Sequence, residues 1–184
     1  MTRGYFGIGV AGIDKAMNLG NLFRSAHAFG ASFIFTVGEM PRLSDAKSDT
    51  ASSAEQVPFY RFADVESMRL PQGCCLVGVE IADDAVDLPS FRHPRQAAYV
   101  FGGERLGLAP DVLARCAHVV KIPTRFSINV GTAGAIVMYD RLLSTRRFGE
   151  RPVLPGGPAL PLPPHVFGAP IRRRRGLAGG GGQA

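Results

Sequence analysis

Short apolar runs alternate along the chain with segments whose apolar positions recur at helical spacing, and that alternation predicts an α/β domain. Residues 5–10 read as a first strand whose glycines let another backbone come close. Within 12–30, Leu22, Phe23, Ala26 and Phe29 fall at roughly helical spacing, with Asn18 or Asn21 able to cap the helix and Arg24 in its first turns. Residues 32–37, β-branched and aromatic, complete a strand-helix-strand unit. The polar stretch 41–58 reads as a surface loop with room for a short helix, and 59–68 as a short or edge strand followed by a helical turn. After a turn signal at 70–73, residues 74–81 have the continuous apolar character of a strand buried on both faces. Residues 83–88 start acidic and suggest a short helix ahead of Pro89.

In 97–143 the polar groups are concentrated where the backbone changes element, which is where an α/β domain places a ligand. Residues 97–101 read as a strand and Gly102-Gly103-Glu104 as the turn after it. A helix can start at Pro110 and run through Arg115, and a strand over 118–122 is stopped by Pro123. Residues 129–143 predict a helix with a broad apolar face, on which Gly131, Ala133, Gly134 and Ala135 admit a close neighbour.

Charge sharpens this picture by its position. Residues 1–140 carry 13 basic and 14 acidic residues, whereas 141–184 carry 8 basic and 1 acidic. A basic carboxyl-terminal segment beside a nearly neutral body points to a polyanion partner, nucleic acid ahead of membrane, or to a solvating tail that attracts anions without selectivity. Residues 152–170 hold seven prolines, Arg172 to Arg175 form a run, and glycines follow. Such a segment cannot build a packed core, so the expected organisation is one α/β domain over 1–150 and a Pro/Arg/Gly-rich disordered tail over 151–184. Cys74, Cys75 and Cys116 have neither metal-ligand nor disulfide spacing and read as buried free thiols. The start of the chain lacks the pattern of a signal peptide and no apolar run approaches membrane-spanning length, so a cytoplasmic protein without a membrane association is expected. The four histidines are scattered, which argues against a metal site.

Three polar constellations carry candidate chemistry. In the first, Asn18, Gly20 and Arg24 would place a guanidinium on a helix, able to bind phosphate or stabilise developing negative charge; a plain surface arginine is the commoner outcome of such a pattern. The second, residues 102–107, can present backbone N–H groups to an adenosine-like ligand with Glu104 holding a hydroxyl or an arginine, or be a tight turn whose charges face solvent; it has neither P-loop nor dinucleotide spacing. In the third, residues 123–129, Ser127 or Asn129 can cap the following helix, which alone would account for either residue.

Taken in order, the three constellations resemble the SpoU or TrmH class of RNA ribose 2'-O-methyltransferases, within the SPOUT group. Asn18-Leu19-Gly20-Asn21-Leu22-Phe23-Arg24 is similar to its first motif, Gly102-Gly103-Glu104-Arg105-Leu106-Gly107-Leu108 to its second, and Ile122-Pro123 with Ser127-Ile128-Asn129-Val130-Gly131-Thr132-Ala133 to its third. Two features depart from the pattern: the loop from Pro123 to Ser127 is short and lacks a glycine, and Gly131 stands where a serine is common. The resemblance implies a single knotted domain, its mainly parallel central sheet flanked by helices and its carboxyl-terminal part tied in a trefoil knot, acting as a homodimer. It implies S-adenosylmethionine as cofactor and methyl transfer to a ribose 2'-hydroxyl of structured RNA, tRNA ahead of rRNA, with no metal because the sulfonium carries its own activated methyl. By the same resemblance Arg24 is the principal catalytic residue, positioning ribose and phosphate, with Asn18, Glu104, Ser127 and Asn129 aligning the reacting groups. Phe101, Gly102, Gly103, Ile122, Ser127, Asn129 and Val130 would receive the cofactor, and Arg24, Arg141, Arg146 and Arg147 would meet RNA. A non-catalytic RNA-binding or RNA-assembly protein is the alternative that the altered third motif and basic tail favour.

Overall fold

The structure, a computed structural model, describes residues 4–13, 15–39, 53–103, 106–146, 148 and 155–156. The chain divides into two compact units, residues 1–146 and 147–184. Of the second, only Phe148 and a turn at 155–156 are described, so the rest of the expected tail, like Glu104, Arg105 and Arg147, lies outside the described residues.

In chain order the first unit contains β1 (Tyr5–Ala11), α1 (Ala16–Phe29), β2 (Phe33–Val37), α2 (Ser53–Gln56), β3 (Phe59–Phe62), β4 (Cys75–Val79) and β5 (Val86–Asp87). A 3-10 turn (Leu88–Ser90) follows, then β6 (Gln96–Gly102), α3 (Pro110–Arg115), β7 (His118–Lys121) and α4 (Val130–Thr145). The strands form one parallel sheet in the order β3-β2-β1-β6-β4-β7-β5, with β6 between β1 and β4. Both faces are covered, which is why these strands read as unbroken apolar runs. On β6, Ala97, Tyr99 and Phe101 enter the core beneath α1 and α4, while Ala98 and Val100 enter a second core with Phe33, Phe35 and Val112. Gly7 and Gly9 lie opposite Phe33 and Phe35 on β2, and a Cβ on either would overlap the facing ring. Those glycines therefore let the aromatic rings of β2 lie across β1.

Helix α1 differs from its expected start. It begins at Ala16, after Lys15 and with no side-chain cap, so Asn18 and Asn21 sit inside the helix and Arg24 in its third turn. Burial of Leu19, Leu22, Phe23 and Ala26 holds the helix without a cap. It ends at Gly30, whose left-handed backbone (φ 78°) directs its N–H to the carbonyls of Ala26 and His27. Against α1 packs α4, and a Cβ on Gly134 would overlap the Leu22 side chain. The expected helix over 83–88 is replaced by β5, which pairs with Val120 and Lys121 of β7, and by the 3-10 turn containing Pro89. Ladder pairing satisfies the backbone there at a length too short for a helix. The three cysteines are free and half-buried rather than fully buried. No helix of the described residues is long and apolar enough to cross a membrane.

A buried polar chain ties α4 to the loop before β6. Arg141, 5% exposed, donates from Nη1 to the Pro94 carbonyl (2.6 Å) and the Tyr99 hydroxyl (3.1 Å), and from Nη2 to the carbonyls of Tyr5 (3.1 Å) and Arg95 (2.8 Å). His93 stands 2.6 Å from the Tyr99 hydroxyl through Nδ1 and 2.8 Å from Asp140 through Nε2. One arrangement satisfies every partner: neutral His93 donates from Nε2 to Asp140 and accepts at Nδ1 from Tyr99, whose oxygen accepts from Arg141. Burial lowers the His93 pKa below its ordinary 6.5, outweighing Asp140, while burial pushes the Tyr99 phenol up to about 12 against the pull of Arg141.

Because unfolded His93 protonates near 6.5 and folded His93 only at lower pH, its contribution to stability is present above 6.5 and is lost as pH falls from there toward the folded value. The slope it adds is at most about 1.4 kcal/mol per pH unit. Urea unfolding from pH 7.5 to 5.5 should show a shallower loss for His93→Gln than for the parent, and equal slopes would contradict this assignment.

Candidate active site

A cleft of about 340 Å³ opens at the carboxyl ends of β4, β6 and β7, where parallel α/β sheets hold ligands. Its apolar wall includes Val79, Phe101, Ile122 and Ile128. The turn after β6 forms one side. A Cβ on Gly102 would overlap the Gly107 carbonyl carbon and the Leu108 nitrogen, and one on Gly103 would overlap the Gly12 carbonyl oxygen. Both glycines are therefore required by backbone contact. Gly107, in the left-handed region (φ 66°), returns its N–H to the Gly103 carbonyl at 2.9 Å. Glu80, at the end of β4, accepts from the Leu108 N–H (2.7 Å) through Oε2 and from the Ile81 N–H (2.8 Å) through Oε1, so one carboxylate holds the far side of the turn. Glu80 and Lys121 line the cleft and were not singled out in the sequence, although each is a charged residue at the carboxyl end of an apolar strand.

The loop between β7 and α4 closes the other side. Thr124 Oγ1 donates to the Phe126 carbonyl at 2.8 Å, which folds the short loop on itself without a glycine. Ser127 and Val130 face the cleft. Asn129 is the cap of α4: its Oδ1 accepts from the N–H groups of Gly131 (2.8 Å) and Thr132 (3.4 Å). Its Nδ2 donates to Oδ1 of Asn18 at 2.9 Å, and Asn18 is buried inside α1. The first and third constellations are thus joined by one amide pair, with Asn18 in a supporting position.

Of the residues expected to receive a cofactor, Phe101, Gly102, Gly103, Ile122, Ser127 and Val130 line this cleft. Asn129 does not; with Arg24 it lines an adjoining groove of about 430 Å³ on the α1–α4 side, whose wall includes Gly131 and Thr132. Within one chain, then, Arg24 and Ser127 belong to neighbouring depressions that share the first turn of α4. The exposed Arg24 is free to meet solvent-borne ligands from the third turn of α1. Arg141 corrects an expectation: it is buried with both terminal nitrogens committed within the protein, so it is not an RNA contact. Arg146 is exposed at the end of α4, beside a different cavity. Among the described residues no group of three His, Cys, Asp or Glu is placed to hold a metal ion.

The model of the SpoU rRNA methylase family matches residues 6–139. The chain is 31% identical over 138 residues to the mouse (Mus musculus) tRNA (guanosine(18)-2'-O)-methyltransferase TARBP1, covering 70% of this chain and 9% of the relative. It is 26% identical over 134 residues to the tRNA (guanosine(18)-2'-O)-methyltransferase of Escherichia coli K12, covering 70% of this chain and 58% of the relative. The chain thus spans less than two thirds of either relative. Its fold is similar to that of the AdoMet-bound rRNA methyltransferase from Sinorhizobium meliloti, at a TM-score of 0.71 and 21% identity over 79% of this chain and 59% of that one. A protein of 2-OH methylation of C/U34 on tRNA superposes at a TM-score of 0.67 and 21% identity, over 78% of this chain and 92% of that one.

The backbone contact at Gly102 makes a direct test of the cleft wall. Gly102→Ala should lose about 1–3 kcal/mol of stability, as overpacked sites do, measured by urea unfolding. An unchanged midpoint would show that the turn has room that the structure denies it.

Proposed function

We propose that this chain, which belongs to the SpoU rRNA methylase family, transfers a methyl group from S-adenosylmethionine to a ribose 2'-hydroxyl in structured RNA, with tRNA ahead of rRNA. The observation that carries the reading is the convergence of second- and third-motif residues on one cleft beside the Arg24 groove. The names of the mouse and Escherichia coli relatives support tRNA as the substrate. A cytoplasmic site of action goes with that substrate.

The residues of the cleft fit the cofactor. Apolar walls at Val79, Phe101 and Ile122 suit an adenine face, and the polar edges at Gly102, Gly103 and Ser127 suit its hydroxyl, amino and carboxylate groups. When bound, S-adenosylmethionine supplies a methyl already activated by a positive sulfur, so the protein's work is alignment and electrostatics. Asn18 fixes Asn129, Asn129 fixes the first turn of α4, and that turn separates the cofactor cleft from the groove where Arg24 would hold ribose and phosphate. A guanidinium suits this role because it binds phosphate bidentately and stays charged. Glu104, Ser127 and Asn129 complete the set of aligning residues in this reading.

A homodimer completes the site. Ile136, Tyr139 and Leu143 are exposed at helical spacing along α4, and Met17 is exposed on α1, an apolar face that a second copy would cover. Contact across that face would bring a second subunit to the Arg24 groove. A trefoil knot belongs to this reading; the return of α4, after β7 beyond β4 in the sheet, to pack on α1 and β6 is compatible with it.

Purified protein should transfer labelled methyl from S-adenosylmethionine to unfractionated tRNA. Arg24→Ala should reduce transfer by at least about 100-fold, the scale of lost positioning and electrostatic contacts, while retaining cofactor binding by calorimetry. Undiminished transfer would remove Arg24 from the mechanism, and absence of cofactor binding in the parent would favour a non-catalytic RNA-binding protein.

A further inference from the structure

We infer that a second cavity, at the opposite end of the sheet from the cofactor cleft, is a docking site for the phosphodiester backbone of RNA. This cavity, of about 1040 Å³, lies at the amino ends of β1 and β6, where Gly4, Tyr5 and Phe6 meet the loop 92–95 and the last turn of α4. β6 runs the length of the sheet between the two sites, and its seven residues separate them by roughly 20 Å. Arg92, Arg95 and Arg146 line the cavity and are exposed, and none of its described lining residues is a carboxylate. Ser32 and Ser144 add hydroxyls to the wall.

The arginines are held in place from beneath. Arg141 donates to the carbonyls of Pro94 and Arg95, and the Arg95 carbonyl also accepts from the Tyr5 N–H at 3.0 Å, so the loop carrying Arg92 and Arg95 is clamped to the start of β1. Both terminal nitrogens of Arg141 are committed to protein acceptors, so it contributes charge and loop position while its three exposed neighbours keep their donors for a ligand. A concave site with several guanidiniums and no opposing carboxylate among its described lining suits a chain of phosphates. The inference rests on the RNA-modifying function proposed above and adds a contact point remote from the reacting ribose, which an extended folded RNA can reach.

The test is a salt titration of unfractionated tRNA binding by the parent and by Arg92→Gln/Arg95→Gln. Both residues are exposed, and a parent-like thermal melt and S-adenosylmethionine affinity establish that the variant is folded. The variant should bind tRNA about tenfold more weakly at low salt, and its log K against log salt slope should be shallower by about 1 to 2, as expected for two lost phosphate contacts. An affinity and slope equal to the parent's would overturn the site. So would a variant that keeps parental tRNA affinity and loses retention on phosphatidylglycerol vesicles, which would assign the arginines to an anionic membrane. If the parent binds tRNA with the steeper slope and the variant does not, yet neither transfers methyl, the docking site stands and the catalytic reading fails. If the parent binds no tRNA, the docking site fails.

Discussion

The site is organised by a single amide pair. Asn129 uses its carboxamide in two directions at once: the oxygen accepts from the otherwise unpaired N–H groups at the start of α4, and the nitrogen donates to Asn18 within α1. Each half fixes the other, since capping with the oxygen leaves the nitrogen to face the buried Asn18. The pair spans 111 residues of chain and is the polar end of an otherwise apolar contact between the two helices. Gly131 and Gly134 make the close approach possible. A Cβ at Gly131 would stand 3.0 Å from the Asn21 Cβ, which gives a local physical reason for glycine where this class commonly has serine.

The cleft depends on a second arrangement with the same logic, in which polar groups stabilise a turn that sterics alone would not select. Gly102 and Gly103 allow backbone to lie on backbone, and Glu80, at the end of the neighbouring strand β4, holds the Leu108 N–H. The parallel sheet places this turn, the end of β4 and the loop after β7 at the carboxyl ends of its strands. At the amino ends lie the buried Arg141 of α4 and the arginine-bearing loop 92–95. Two polar sites of different character therefore occupy the two ends of one sheet, with an apolar core on each face of the sheet between them.

Much of this was legible in the sequence because it is local. Pro110 and Arg115 bound a helix as expected from proline at a first helical position, and the apolar runs over 32–37, 74–81 and 97–101 fall on β2, β4 and β6 of the sheet. Asn129 was one of two residues able to cap α4, and the cap chose it. What stayed hidden depends on partners far away in the chain. Arg141 reads as one more charge in a basic segment, and only the carbonyls of Tyr5, Pro94 and Arg95 turn it into a buried post. The uncapped start of α1 is set by packing against α4, and β5 by a ladder to β7, neither of which a local window contains. Nor could spacing show that Arg24 and Ser127 line adjoining depressions within one chain.

The claim that the Asn18–Asn129 pair couples α1 to the capped end of α4 is tested most directly by a double-mutant cycle. Unfolding free energies of the parent, Asn18→Ala, Asn129→Ala and the double variant would be measured in urea, so that the lost cap of α4 appears in both arms and cancels. The account predicts a coupling of about 0.5–1.5 kcal/mol, the usual net worth of a buried hydrogen bond. Additive effects within about 0.3 kcal/mol would contradict it.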